Sequence, residues 1–431
     1  MQSQDRKTNR RSFMRDSVTY GAGFAALASS KILGANDRIQ IGVIGTGGRA
    51  GELMRCFNPG PNAFWAGMPQ FKVGPVSGAQ LAAVADVYEP NLDRAEAVAG
   101  PGTRKFRDYR ELLDQKDIDA VIIASPDHWH SKMLIDALEA GKDAYVEKPV
   151  SHSLEEGPEE IRTLERTGRV VQTGTQHRSW KHYIQAKEIV DSGALGTVRV
   201  VEAYWFMNLT RGFETIGQQK TDLSKLDWKG WLGSAPPQEF TEMKFHRWRY
   251  FRAFGGGTIT DLMVHSLSTI QWYMNSPAPS SAVAAGLSND FGLEWPTTLS
   301  CTLEYPQGFL VSYTGNHSSG MDFGSVIFYG SKGTLEISRA AFALYEETRG
   351  FKYNSKSQRW RPDPKLYVES EEEGTSENLR NWLECIRSRK TPNANLAFGL
   401  ELARTAHLSN AALISGRKAT WDEAAQKIHL V

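Results

Sequence analysis

The sequence is short of cysteine, of long apolar runs and of excess charge, and each shortage removes a class of protein. Three cysteines in 431 residues (Cys56, Cys301, Cys385) are too few and too scattered for a disulfide framework or a zinc motif. They read as small packed thiols, and no metal is expected. No stretch of about 18 apolar residues lies in the body of the chain, which argues against a transmembrane span there. The formal charge is only +1, and it is unevenly placed. Residues 1–36 hold six Lys/Arg against two Asp/Glu, which leaves 44 basic and 47 acidic residues for the rest. A near-neutral body without a basic stripe argues against nucleic acid as a partner. What is present is an ordinary globular balance, 40% hydrophobic and 23% charged, in a chain long enough for two domains with separate cores.

The basic excess belongs to a segment with the order of an address. Asn9-Arg10-Arg11-Ser12-Phe13-Met14-Arg15 precedes a mildly apolar run, Ser17–Ser30, and the small residues of Leu33-Gly34-Ala35. A basic region, a short apolar region and small residues mark targeting rather than fold. The arginine pair followed by Ser-Phe-Met-Arg resembles the twin-arginine export signal, Arg-Arg-x-Phe-Leu-Lys. That resemblance implies a periplasmic protein exported after folding by the twin-arginine machinery, with residues 1–36 either removed or kept as an anchor.

Arg38–Ile44 is a short β-branched run that reads as a buried parallel strand. It feeds Gly45-Thr46-Gly47-Gly48-Arg49-Ala50, with a helix expected from about Ala50 to Cys56. In the pattern Gly-x-Gly-x-x-Ala, Gly45 permits the tight turn, Gly47 lets the backbone approach a pyrophosphate, and Ala50 allows close packing of helix on strand. The helix N-terminus offers its free N–H groups and positive dipole end to that anion. The next strand, Gln80–Ala85, ends at Asp86, whose carboxylate would accept the adenosine-ribose hydroxyls and repel a 2′-phosphate. NAD is favoured on this reading, with NADP the alternative because Tyr88 and Arg94 stand close by. Residues 57–79, rich in Gly, Pro and aromatics, read as a loop inserted between the two units.

The pattern then repeats. A helix at Arg110–Gln115 and a strand at Ala120–Ala124 lead to Ser125-Pro126-Asp127-His128-Trp129-His130 and a further helix through Ala140-Gly141. A strand at Asp143–Val146 delivers Glu147-Lys148-Pro149, and a last one is expected at Arg169–Thr173. Such alternation describes a doubly wound parallel sheet over residues 37–173, a Rossmann-type α/β domain. Gly45, Asp86, Ser125 and Lys148 all fall at the carboxyl ends of its strands, on one rim, where such sheets bind their ligands.

Glu147-Lys148-Pro149 at this distance from the glycine turn resembles the glucose–fructose oxidoreductase/inositol dehydrogenase (Gfo/Idh/MocA) family. Gly255-Gly256-Gly257-Thr258-Ile259-Thr260-Asp261-Leu262-Met263-Val264-His265 is similar to that family's Gly-Gly-Gly-x-x-x-Asp-x-x-x-His helix. Ser125-Pro126-x-x-x-His130 and Gly174-Thr175-Gln176-His177-Arg178 match recurring family segments. The resemblance runs from Arg38 to the C-terminus, with departures at 57–79 and around 207–250 that are expected to reshape the substrate mouth. It implies that residues 174–431 form an open, mostly antiparallel sheet with helices on one face, used for substrate binding and homo-oligomer contacts. Alternation in Val198–Asn208, Ser281–Gly286, Thr297–Tyr305, Gly308–Asn316 and Gly324–Tyr329, and a short strand at Gly333–Ile337, agree with this. Helices are expected near Thr375–Arg389 and at Leu396–Ser415, with 350–373 an acidic surface loop.

The resemblance also implies roles. His265 would take the proton of a sugar or polyol hydroxyl while hydride leaves for the nicotinamide. Asp261, four residues earlier on the same helical face, would orient the imidazole or bind a neighbouring hydroxyl. Lys148 would stabilise negative charge on the reacting oxygen and relay the proton. Cofactor contacts are expected from Gly45, Thr46, Gly47, Gly48, Arg49, Ala50, Asp86, Ser125, Pro126, His130, Glu147 and Lys148. Substrate contacts are expected from Gln176, Arg178, Arg247 and Trp248. His128-x-His130 lacks further ligands for a metal. Three functions stay open: an NAD(P)-dependent sugar or polyol dehydrogenase with a tightly held cofactor, an NAD-dependent glycosidase working by transient oxidation, and a non-catalytic binding protein on the same fold.

Overall fold

A computed structural model of the protein describes residues 38–60, 63–65, 68–287, 291–320, 323–347 and 363–431. The export segment read at 1–36 lies outside them, as does the first part of the acidic loop expected at 350–373.

The first half builds six parallel strands: β1 (Ile39–Ile44), β2 (Ala79–Ala85), β3 (Arg104–Phe106), β4 (Ala120–Ile123), β5 (Asp143–Val146) and β6 (Val171–Thr173). They lie in the order β3-β2-β1-β4-β5-β6, the doubly wound arrangement whose direction reverses between β1 and β4. Every residue of β4 and β5 is buried, as a strand covered on both faces requires. Helices α1 (Gly48–Phe57), α2 (Glu89–Ala99), α3 (Tyr109–Leu113), α4 (Asp127–Glu139) and α5 (Gly157–Thr167) make the crossovers, with α6 (Lys181–Asp191) following β6. Two of these elements, β3 and α2, were not expected from the sequence: β3 has no fully buried residue, and α2 buries only Leu92 and Ala95.

The second half is one ten-stranded sheet. Its strands are β7 (Val198–Phe206), β8 (Ser281–Leu287), β9 (Thr298–Tyr305), β10 (Phe309–Asn316), β11 (Gly324–Gly330), β12 (Gly333–Ile337), β13 (Ala341–Glu346), β14 (Leu366–Glu369), β15 (Ala419–Asp422) and β16 (Lys427–Leu430). They run β14-β13-β12-β11-β7-β10-β9-β8-β15-β16, antiparallel except for the parallel β7–β10 pair. In β9 the buried Leu299, Cys301, Leu303 and Tyr305 alternate with outward Thr298, Ser300, Thr302 and Glu304, so only one face is packed. That inner face is covered by α7 (Val264–Tyr273) and α9 (Leu396–Ser415), whose Leu267, Ile270, Leu402 and Ala406 share a core with Val201, Leu303 and Val311. Strands β13 to β16 were not expected from the sequence; β14 occupies part of the stretch read as a loop.

A late helix, α8 (Thr375–Ser388), returns to the first sheet. Asn378 accepts from Gln172 and donates to the Tyr145 hydroxyl and the Thr173 carbonyl. Just beyond α8, Arg389 pairs with buried Asp143 at 2.7 Å. The insertion at 57–79 docks on the same helix: Ser376 donates to Gly74, Arg380 to Pro75 and Arg387 to Gly78. It holds a small hairpin, Phe64–Trp65 with Met68–Lys72, and braces α8.

Candidate active site

The glycine turn is fixed by its neighbours before any ligand arrives. Gly45 has φ +77°, and a Cβ there would stand 2.6 Å from the Ser125 backbone, so only glycine fits. Asp86 Oδ2 accepts from the Thr46 N–H at 2.7 Å, the Thr46 hydroxyl and Asn91, and Oδ1 accepts from the Tyr88 N–H. Asp86 therefore fastens the turn to the end of β2, keeping one lone pair on Oδ1 for a ribose hydroxyl. At Gly47 and Gly48 a side chain would meet nothing within 4 Å, so the space above the N-terminus of α1 is clear. This uncrowded cradle at the helix N-terminus fits a dinucleotide pyrophosphate. Ala50 is fully buried under the turn. The cradle opens on a cleft of about 1130 Å³ that also takes in Arg49, Asp86, Ser125 and Pro126.

Arg49, at the cleft wall, donates to Glu147 Oε1 at 2.7 Å and to Glu52. Glu147 needs the absence of a side chain at Gly174, where a Cβ would fall 2.3 Å from its Oε2. The first residue of the Glu-Lys-Pro motif is thus a strut between α1 and the end of β5, and the second is left to reach across to the other domain. His130 links the loops on either side: its Nδ1 lies 2.6 Å from the Pro149 carbonyl and its Nε2 2.9 Å from that of Ser125. It orients both loops from within the protein, and burial lowers its pKa.

Lys148 Nζ donates to the main-chain oxygen of Asp261 at 2.5 Å and to its Oδ1 at 2.7 Å. Arg249 donates to the same Oδ1 at 3.1 Å. Asp261 lies in a π turn, Ile259–Met263, that widens the start of α7; such turns are frequent at functional sites. Although burial alone would raise it, the two cations hold the Asp261 carboxyl well below the usual carboxylate range. Asp261 does not reach the imidazole of His265, contrary to one of its two expected roles, because the lysine and arginine have claimed its carboxylate.

His265 is 7% exposed and packs its ring on Trp205, centroids 5.4 Å and planes 27° apart, with His177 at 5.5 Å. Burial first, then the charges of Lys148 and Arg339, push its pKa well below 6.5. Its ring makes no hydrogen bond among the described residues, so a neutral imidazole with free nitrogens stands beside a fixed ammonium. Asp127, 4% exposed at the start of α4, is a further member of this site. Burial pushes its carboxyl up to about 7 against the fields of Arg249 and Lys148, and the Thr260 hydroxyl lies 3.5 Å from it.

Of the expected substrate residues, Gln176 is buried near this site with an unpartnered Oε1. Arg178 has a packing role: it stacks on Trp272 and Phe398 and donates to the Asn393 carbonyl, and burial lowers its pKa to about 10. Arg247 and Trp248 line the dinucleotide cleft, Arg247 donating to the Gly212 carbonyl and Trp248 lying under Arg249 at 4.2 Å. The segment that carries them folds over the nucleotide side of the rim. Leu226 bridges Tyr88, Asp227 N–H donates to Val87, Trp129 donates to the Trp231 carbonyl, and Phe245 meets Tyr88 edge-on. Arg249 and Asp127 were not singled out from the sequence. Arg249 stood in a run of similar arginines, and nothing local marks which one reaches Asp261.

A doubly wound sheet with an open phosphate cradle, joined to a second sheet that presents an aspartate and a histidine to the first domain's lysine, defines a two-domain dinucleotide-binding protein of the oxidoreductase class. Residues 39–175 match the NAD-binding Rossmann fold of an oxidoreductase family, and residues 226–419 match the C-terminal alpha/beta domain of the same family. Together these regions take in well over half of the chain, and the chain belongs to that family, the Gfo/Idh/MocA oxidoreductases; its first domain is an NAD-binding Rossmann domain.

Among curated relatives, the scyllo-inositol 2-dehydrogenase (NAD(+)) of Bacillus subtilis (strain 168) is 41% identical over 28% of this chain and 35% of its own length. Glycosyl hydrolase family 109 protein 1 of Shewanella sp. (strain MR-4) is 30% identical over 47% of this chain and 46% of its own length. Both matches span less than half of the relative. A scyllo-inositol dehydrogenase from Lactobacillus casei, solved with NAD(H) and scyllo-inositol, shares the fold with a TM-score of 0.64 at 17% identity, over 89% of this chain and 99% of that one.

Asp261→Asn leaves the Lys148 and Arg249 cations without their carboxylate, and is expected to lower unfolding free energy by about 3 kcal/mol at pH 7. Because folding depresses the Asp261 pKa, its stabilisation is complete above the unfolded value near ~4 and is lost as pH falls toward the folded one. Urea unfolding of both proteins should show a full gap at pH 7 and 5 and a reduced one at pH 3. An equal gap at pH 3 and pH 7 would contradict this assignment.

Proposed function

We propose that the chain is an NAD(H)-dependent oxidoreductase that oxidises a hydroxyl of a carbohydrate, polyol or glycoside. The observation that carries this reading is the neutral imidazole of His265, whose ring has no hydrogen-bond partner among the described residues, beside an ammonium fixed by two bonds to Asp261. NAD, when bound, supplies the hydride acceptor. His265, kept neutral by burial, accepts the hydroxyl proton at a ring nitrogen. Lys148 has one N–H left after its two bonds to Asp261, and it donates this to the oxygen as negative charge develops there. Asp261 and Arg249 hold that ammonium in place, and Asp127, facing the same charges, sets the local field. Presence of both Lys148 and His265 weighs against a non-catalytic binding role.

The cofactor is retained through the catalytic cycle. Residues 226–249 fastened across the cleft support this, since release of the dinucleotide requires parting those contacts. Residues 1–36 act as a twin-arginine export segment and the protein works in the periplasm, where no nicotinamide pool replenishes it. Under that constraint the net reaction is redox-neutral: one sugar is oxidised and another reduced, or a glycoside is oxidised, loses its leaving group and is reduced again. The second route is favoured by the likeness to a glycosyl hydrolase over 47% of the chain. Two copies associate through the outer face of the second sheet, where exposed Val200, Leu310 and Tyr329 are neighbours in register.

Protein purified without added NAD is expected to carry the dinucleotide, detected by absorbance after denaturation. Sugars should reduce the bound cofactor, and aryl glycosides should release aglycone without net reduction if the glycosidase route operates. Lys148→Ala should lower either activity by about 10²-fold or more at unchanged folding. Inactivity toward every compound, with no cofactor carried, would sink the enzymatic reading. For export, full-length protein should appear in the periplasmic fraction and Arg10→Lys/Arg11→Lys protein in the cytoplasm; equal fractionation contradicts it. Light scattering should give a dimer or larger species that Leu310→Arg dissociates, and a monomeric parent protein rules the sheet contact out.

A further inference from the structure

Arg339 lies in the tight turn between β12 and β13, and its guanidinium reaches over the inner side of the second sheet. The guanidinium carbon is 4.8 Å from the centre of the Trp205 ring and 6.0 Å from that of Phe323. Trp205 in turn stacks on His265 at 5.4 Å. Through their shared contact with Trp205, the guanidinium lies within about 10 Å of the imidazole. The charge of Arg339 acts on both His265 and His177.

Among the described residues Arg339 makes no hydrogen bond and no ion pair. Its Nε is buried without an acceptor, and so is Nε1 of Trp205; both atoms are donors only. The surrounding charges are committed elsewhere. Arg49 is bound to Glu147 and Glu52. Glu373, whose oxygens accept from the N–H and the hydroxyl of Thr375, makes no hydrogen bond to Arg339 and acts on it through its field. A half-buried guanidinium stacked on two aromatic rings and lacking a partner is a fork held ready for a planar anion. A neutral sugar leaves its charge unanswered. A single guanidinium with no direct partner among the described residues matches one negative charge, which selects a carboxylate over a phosphate dianion.

We propose that Arg339 forms a subsite for a carboxylate on the substrate, so that the substrate class is a sugar acid, a uronate or its glycoside, rather than a neutral polyol. The inference rests on the alcohol-oxidising reading only for which end of the sugar faces His265. It is tested by binding: calorimetric titration of the purified full-length protein with glucuronate, galacturonate and mannuronate, their parent hexoses, and the hexose 6-phosphates. At least one uronate is expected to bind 10-fold or more tightly than its parent hexose. Arg339→Gln should abolish that preference while leaving hexose binding unchanged, and Arg339→Lys should keep part of it. Preference for a hexose or a 6-phosphate, no binding of any uronate, or an equal weakening of hexose and uronate in Arg339→Gln overturns the proposal. The wild-type comparison stands even where the variant fails to fold. Selective uronate binding without oxidation would instead count against the oxidoreductase reading and leave the subsite in place.

Discussion

The contact on which the site depends joins residues 113 positions apart: the ammonium of Lys148 against the carboxylate and carbonyl of Asp261. It is made between the two sheets, one supplying the lysine at the end of β5, the other supplying the aspartate from a π turn. A lysine brought into a buried site without a carboxylate would shed its proton or its place. Here the second domain neutralises it, and Arg249 shares the same oxygen so that the carboxylate stays ionised. His265, a turn further on, is held neutral by the same burial and by the charges around it. One contact between the domains thus sets the electrostatic surroundings of both the lysine and the histidine.

The local features of this site were legible in one dimension. A glycine at positive φ, a helix beginning behind it and a strand ending at Asp86 all answer to rules that act over a few residues. Lys148 and His265 were marked by short motifs for the same reason. The partners that decide their behaviour were not marked. Arg249 is one arginine in the run Arg247, Arg249, Arg252, and only the fold selects which meets Asp261. Asp127 reads as an ordinary first-turn acid at the start of a helix until the second sheet closes over it. Arg178, in a recurring segment, turned to Trp272 and Phe398 because those apolar surfaces come from elements about 94 and 220 residues downstream.

The same distinction separates strands that were read from those that were missed. β9 and β10 alternate strictly between buried and exposed residues, because one face packs and the other does not. β14 and β16 are four residues each at or beyond the sheet's margins, mostly exposed, and show no such alternation. Strand pairing holds them, and pairing is a property of the neighbour. The departures at 57–79 and 207–250 behaved likewise: their composition announced a departure but not a direction. One braces α8 and the other lies across the cleft.

The return of the chain to its first sheet bears on the order in which the molecule can be made. The outer edge of β6 is covered at Gln172 by Asn395, and the buried Asp143 of β5 meets Arg389. During synthesis the nucleotide-binding half therefore emerges with an unpaired strand edge and an unmatched acid, and waits for more than two hundred further residues before either is answered. Exposed edges of that kind invite association with other nascent chains. A chain cut short of its C-terminal helices thus has the whole glycine turn and yet no closed first domain.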